Sequence, residues 1–292
     1  MLKGLHNKVI KLLRLFLCSY RSLYFLSMIH PHTYIHPNAK LARNVKIDPF
    51  TVIHEDVEVG EGTWIGSNVT IMEGARIGKN CRIFPGAVLS AIPQDLKFDG
   101  EKTTIEIGDN TTIREFVTVH RGTIEKGKTR IGNNCLIMAY CHVAHDCIIG
   151  DNCIMSNNSQ MAGHVIMGDW SIIAGVSAVQ QFTRIGQHSF IAGGSHVNKD
   201  VPPYIKAVRN PLTYGGVNSV GLKRRGFTME QINHILDLYR IIYNKGLNIS
   251  QALEYIEEEL PATDERDEIV TFIRESGRGI IKRHIKGAEE EV

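Results

Sequence analysis

The chain has 292 residues, of which 43 % are hydrophobic and 22 % charged, enough for one long unit with a sizeable core and a small second one. Its net charge is only +2, and no basic block is interleaved with aromatic residues, which argues against a nucleic-acid partner.

Residues 1–27 differ in kind from the rest of the chain. They are Leu-rich with scattered Lys and Arg, and Arg14 and Arg21 interrupt the apolar stretch, so it makes a poor membrane span and no stable membrane insertion is expected. The unbroken apolar centre and cleavage site of a signal peptide are also missing. A membrane-surface helix, a marginal targeting segment and an extension upstream of a start at Met28 are the three readings. The last is favoured, because a six-residue repeat picks up directly after Met28.

From Ile35 to Val197 one pattern recurs every six residues. Aliphatic anchors run Ile35, Leu41, Ile47, Ile53, Val59, Ile65, Ile71, Ile77, Ile83 and Leu89, resume at Ile107, Ile113 and Val119, and continue from Ile131 to Val197. No helix or ordinary strand keeps that period; hexads mark a parallel β-helix. Four places after the anchor stands a small or β-branched residue, such as Ala39, Val45, Thr51, Cys81 or Ala87, which fits a narrow core. Three places after it the chain favours Asn38, Asn44, Asp56, Gly62, Asn68, Gly74, Asn80, Asn110, Asn134 and Asn152, residue types that tolerate positive φ. Each hexad therefore reads as a short strand plus a corner. Three hexads make a triangular coil of roughly 18 residues, stacked at about 4.8 Å. The period does not set the hand of the coil.

Two interruptions break the repeat, at residues 91–104 and 121–130. Loops extruded from a rigid scaffold are the usual place for binding. The first carries Gln94, Asp95, Lys97 and Asp99, and reads either as a solvated excursion or as a binding loop. Cys135, Cys141, Cys147 and Cys153 all fall four places after an anchor, so buried packing is favoured over a metal knuckle or disulfide. Free thiols suit a reducing cytoplasm.

The middle coils gather chemistry. His142 and His145 stand at one corner, with Asp146 next to them. Advancing one coil at a time, the His145 column holds Gly163 and then Gln181, while Asp146 stacks with His164. Neutral His is the natural general base near neutral pH, and a neighbouring carboxylate fixes its tautomer. Singly each His is an ordinary corner residue; as a column they point to function. A zinc site on His142, His145 and His164 is the competing reading. The adjacent Asp146 favours acid–base work, with no metal or cofactor expected.

After Val201 the hexads stop at Pro202 and Pro203. Thr228 and Gln231 form a capping box, Ile232, Ile235, Leu236, Tyr239 and Ile242 make an apolar stripe, and Gly246 can end the helix. A second helix is predicted from Ser250 to before Pro261, and a third over residues 264–275. The expected organisation is an N-terminal extension (1–27), a solenoid (28–210) and a helical domain (211–292) that caps the solenoid's open end or reaches along its wall.

Five tracts together carry a resemblance: Ala144-His145-Asp146-Cys147, residues 160–165 (QMAGHV), residues 178–182 (AVQQF), residues 200–204 (DVPPY), and residues 216–227 from Gly216-Val217-Asn218 to Gly226-Phe227. They resemble the UDP-N-acetylglucosamine O-acyltransferase family, which begins lipid A synthesis, over essentially everything from Met28 to the C-terminal helices. The resemblance implies a cytoplasmic homotrimer of left-handed parallel β-helices with active sites between subunits. It implies transfer of a 3-hydroxyacyl group from acyl carrier protein to the glucosamine 3-hydroxyl of UDP-N-acetylglucosamine. His145 would be the general base, Asp146 would orient it, and the Gly163 N–H would hold the oxyanion. His142, His164 and Gln181 would contact sugar or thioester, Asp95 and Lys97 the nucleotide sugar, and Asn218 and Arg224 the uridine or diphosphate. Gly193 matches the position that sets acyl length, and a glycine there leaves room for a longer chain. Lys206, Arg209, Lys223, Arg224 and Arg225 offer an acidic carrier protein a complementary surface. Gln180 and Val220 depart from the family pattern, where His and an acid are common. A hexapeptide N-acyltransferase, a zinc hydratase and a non-catalytic scaffold remain as alternatives.

Overall fold

The computed structural model describes residues 28–283; the three readings of residues 1–27 fall outside the described residues. Each hexad contributes one strand, mostly of two residues, to one of three walls. The first wall has nine strands, from Tyr34–Ile35 to His196–Val197, and the second eight, from Lys40–Leu41 to Arg184–Ile185. The third has ten, from Lys46–Ile47 to Thr213–Val217. All pairings within the walls are parallel except the last in the third wall. In the middle coils His142 pairs with Gln160, and Gln160 with Ala178, so the predicted advance per coil holds there.

The anchors fill the prism. Ile53, Ile65, Ile71, Ile83 and Ile113 are completely buried, and each such side chain contributes about 1.5–3 kcal/mol relative to exposure. Ile35 and Leu41, in the first coil, are only partly covered. The second inward position carries more than bulk. Thr51 Oγ1 donates to the Gly66 carbonyl at 2.8 Å and Ser171 Oγ to that of Gly186 at 2.8 Å. Cys135 Sγ and Cys153 Sγ reach the Gly150 and Gly168 carbonyls at 3.1 and 3.2 Å. Every described cysteine is buried and free, as the packing reading expects. What that reading lacked is the thiol's second job, satisfying a carbonyl of the neighbouring coil as a hydroxyl does elsewhere.

Corners take positive φ as predicted: Asn44, Asn68, Asn80, Asn110, Asn134 and Asn152 lie between 53° and 58°. Asn38, in the first coil, does not. A second device locks coil to coil at the edge between the second and third walls. Backbone N–H groups of Lys79, Asp109, Asn133 and Asp151 donate to the side-chain Oδ1 of Asp109, Asn133, Asp151 and Asp169, at 2.7 to 2.8 Å. Room for each acceptor comes from a glycine one coil earlier. A Cβ on Gly108 would meet Asn133 Oδ1 at 2.6 Å, and one on Gly150 would meet Asp169 Oδ1 at 2.1 Å.

The third wall continues beyond the proline pair where the hexads stop, and its last strand, Thr213–Val217, lies past the expected solenoid boundary at residue 210. Ile205–Val208 pairs parallel to the Phe190–Ile191 strand, and Thr213–Val217 returns antiparallel beside it. Four helices complete the described chain: α1 (Ser219–Arg224), α2 (Met229–Asn244), α3 (Ile249–Glu259) and α4 (Asp264–Arg274). α1 had no counterpart in the sequence reading. The Thr228–Gln231 capping box of α2 is present, and Asn248 with Gln251 makes another on α3. α2 buries Ile232, Ile235, Leu238, Tyr239 and Ile242, with Leu236 only partly covered. Tyr239 donates to the Pro203 carbonyl at 2.6 Å, and Arg184 grips Glu275 at 3.1 Å, so the helices pack on the last coils.

Candidate active site

Both interruptions leave the prism at the same edge, where the first wall turns into the second. One joins Val88–Ala91 to Thr104–Ile107, the other joins Thr118–His120 to Lys128–Ile131. In the next coils along, Asp146, His164 and Phe182 turn that same edge, with φ of 60°, 61° and 63°. The loops and the column enclose a cavity of about 150 Å³ lined by Asp95, Lys97, Thr123, Glu125, His164 and Gln181.

His145 and Asp146 stand beside it as a pair. His145 Nδ1 lies 2.8 Å from Asp146 Oδ2, and Asp146 is wholly buried while His145 keeps 7 % of its surface. The carboxylate is unusually well held. Thr123 donates its N–H to Oδ1 at 3.0 Å and its hydroxyl to Oδ2 at 2.7 Å. The backbone N–H of Asp146 donates to Thr129 Oγ1 at 2.8 Å. Burial works to raise this carboxyl, but the bonds from His145 and Thr123 and the nearby His164 outweigh it and hold the group below its usual range. An ionised Asp146 keeps the proton of His145 on Nδ1, leaving Nε2 with its lone pair.

Above the pair lie Gly163 and His164. A Cβ on Gly163 would sit 2.7 Å from His145 Cε1 and 2.8 Å from Nε2, so only glycine lets the imidazole lie where it does. Among the described residues the Gly163 N–H makes no hydrogen bond. The His164 ring crosses that of His145 edge-on at 5.1 Å and stacks on Phe182 at 4.6 Å. Its Nε2 lies 3.5 Å from Glu125 and 3.6 Å from Asp146. One imidazole with a free nitrogen, a fixed carboxylate and an unbonded amide can abstract a hydroxyl proton and stabilise an oxyanion.

His142 sits on the first wall just behind, its Nδ1 2.7 Å from Thr118 Oγ1. Burial, and then the neighbouring His145, lower its pKa. His120 packs edge-on against it at 4.7 Å and is pushed down to about 4, chiefly by burial. For a metal, the one suitable grouping among the described residues is His145, Asp146 and His164, whose ligand atoms lie within 4.8 Å of one another. His142, the third histidine of the competing zinc reading, is not part of it.

Other expected site residues lie elsewhere. Asn218 and Arg224 are at the edge between the second and third walls. Asn218 is buried; its Oδ1 caps α1 through Gly221 at 3.3 Å, and its Nδ2 donates to the His188 carbonyl at 2.9 Å. Arg224 is exposed, whereas its neighbour Arg225 packs over Trp170 at 5.4 Å and reaches His188 at 3.2 Å. Gly193 lies at the third edge, against Ala174 and Gly175. Within one chain these three do not meet the His145 column. Sequence reasoning missed Thr123, Glu125 and His120. The interruption that carries two of them has no period, so no column could be counted through it.

Two family models match the chain. One described as bacterial transferase hexapeptide (six repeats) covers residues 56–91 and 128–163, and one described as UDP-N-acetylglucosamine O-acyltransferase, domain 2, covers residues 200–281. An acyl-[acyl-carrier-protein]–UDP-N-acetylglucosamine O-acyltransferase of Sulfurihydrogenibium is 55 % identical over 90 % of this chain and 99 % of the relative. One from Chlorobaculum parvum is 55 % identical over 87 % of this chain and 97 % of its own. The crystal structure of a UDP-N-acetylglucosamine acyltransferase from Bacteroides fragilis aligns with a TM-score of 0.86 and 52 % identity, over 87 % of this chain and all of that one. The coil is thus a left-handed parallel β-helix with helices at its C-terminal end.

Proposed function

The chain belongs to the UDP-N-acetylglucosamine O-acyltransferase family, and from that premise we propose that it moves a 3-hydroxyacyl group from acyl carrier protein to the 3-hydroxyl of UDP-N-acetylglucosamine, the first step of lipid A synthesis, with His145 as general base. The observation that carries the mechanism is the stacking of the His145–Asp146 pair beneath the unbonded amide of Gly163. His145 Nε2 takes the proton of the sugar hydroxyl as its oxygen attacks the thioester carbonyl. The carbonyl oxygen gains the negative charge and is held by the Gly163 N–H. Collapse of the intermediate expels the carrier thiolate, which takes the proton back from the imidazolium. Asp146 stabilises that imidazolium without exchanging a proton. Asp95, Lys97, His164 and Gln181 line the neighbouring cavity, where the sugar nucleotide would sit.

Asn218, Arg224 and Gly193 stand on the two other edges of the prism. Their expected contacts to uridine, diphosphate and acyl chain therefore require a neighbouring copy, which supports a homotrimer with sites between subunits. Among the described residues no helix is long and apolar enough to cross a membrane, and we place the enzyme in the cytoplasm, where its carrier-bound donor is made. The test is mass spectrometry of UDP-N-acetylglucosamine incubated with a set of hydroxyacyl carrier proteins. One acyl adduct is expected with the wild type and none with His145→Ala at unchanged oligomeric mass and Tm. Full turnover by folded His145→Ala refutes the base.

A further inference from the structure

Thr123 is placed to do more than line the cavity. Its hydroxyl accepts the Glu125 N–H at 3.3 Å, which directs its own proton to Asp146 Oδ2 at 2.7 Å. Its N–H supplies a second bond to the other carboxylate oxygen. The turn that presents it is closed on itself: the Gly127 N–H donates to the Thr123 carbonyl at 2.7 Å. At its base, a Cβ on Gly122 would meet Lys128 N at 2.3 Å, so the two ends of the excursion touch. The excursion is also tied to the first one, since the Arg121 guanidinium stacks over Phe98 at 5.5 Å and the Arg121 N–H donates to the Ala91 carbonyl at 3.0 Å. Thr129, where the second wall resumes, holds the Asp146 backbone from the other side.

We infer that Thr123 is a positioning residue for the transfer reaction: by occupying both carboxylate oxygens of Asp146 it leaves one geometry for the His145 imidazole and sets its basicity. The inference rests on the reading of His145 as general base. It also gives the second interruption a purpose. The excursion brings an N–H and a hydroxyl of one residue together onto the carboxylate at the edge of the next coil.

The experiment compares Thr123→Val, Thr123→Ser and His145→Ala in steady-state transfer and in kcat/KM against pH, with Tm as the control for folding. Losing a hydrogen bond to a buried charge lowers kcat by about ten- to a hundredfold in Thr123→Val. KM for UDP-N-acetylglucosamine stays within about twofold, because the hydroxyl faces Asp146. The carboxylate stripped of a donor protonates at higher pH and draws harder on the imidazolium, so the acid limb of the profile moves up by about half a pH unit or more. Thr123→Ser, which keeps the hydroxyl, restores both kcat and the acid limb. If Thr123→Val matches the wild type in kcat and acid limb while His145→Ala is inactive, the positioning role is overturned and the base stands. If Thr123→Val loses activity through KM or Tm alone, or Thr123→Ser fails to rescue it, Thr123 is merely structural. If folded His145→Ala turns over at the wild-type rate, the base and the inference built on it fall together.

Discussion

Gly163→Ala tests the site at its tightest point. The added carbon would lie 2.7 Å from His145 Cε1 and 2.8 Å from Nε2, against an ordinary carbon contact of about 3.5–4.0 Å. The Gly163 backbone gives little ground, because Phe182 donates to its carbonyl at 3.1 Å and the flanking Ala162 and His164 amides are bonded to Val179 and His145. The imidazole must therefore move by nearly an ångström, and it moves away from the amide with which it is meant to share a substrate. A displacement of about 1 Å in a reacting group costs on the order of a hundredfold in rate, about 2.7 kcal/mol of barrier. The backbone of Gly163 does not have positive φ, so alanine brings no conformational penalty of its own. The expected result is a hundredfold fall in kcat with Tm within a few degrees of wild type, read by mass spectrometry of acylated product and by thermal melts on the same preparation. Wild-type kcat in Gly163→Ala would show the ring free to sit elsewhere and still work, and so that its packing on Gly163 does not govern the reaction.

The scaffold and its buried histidines can be tested through stability. Gly150→Ala places a carbon 2.1 Å from Asp169 Oδ1 and 2.8 Å from Asp169 N, an overpacking of about 1–3 kcal/mol that lowers Tm by several degrees with kcat of the surviving folded enzyme unchanged; an unchanged Tm would mean the inter-coil acceptor is dispensable. His120 and His188 are both pushed down from 6.5 to about 4, mainly by burial. Each binds fewer protons folded than unfolded, so stability is intact above about 6.5 and falls as pH drops towards about 4. His120→Asn should flatten the decline of Tm over that window, and parallel Tm curves for variant and wild type would assign the acid loss to other groups.

Much of this architecture was legible because a coil is a lattice step. Where the advance is 18 residues, as from Asn133 to Asp151, counting alone placed His145 with Gly163 and Gln181, and Asp146 with His164. Where an excursion intervenes, the step becomes 30 residues from Lys79 to Asp109 and 24 from Asp109 to Asn133, and the count loses its phase. Thr123 fell in that gap. Its value lies in a tertiary contact that neither periodicity nor residue type announces. Arg225 was obscured for a different reason: in a run of three basic residues, only packing against Trp170 and His188 distinguishes it from Arg224. Size and polarity place the thiols in the core, but a sequence does not show which carbonyl stands opposite each one.

The chain of side-chain acceptors along the second edge has a direction. An amide in one coil is satisfied by Asp or Asn from the coil that comes after it, never from the one before. Each of these four amides is therefore left without its side-chain acceptor until the following coil is in place. Such a series needs a stop. It comes at Gln187, where the carboxylate gives way to a longer amide that bonds Tyr204 and Glu268 of α4 instead of prolonging the run. The side-chain ladder of the coils thus passes at its last rung into contacts with the helical appendage.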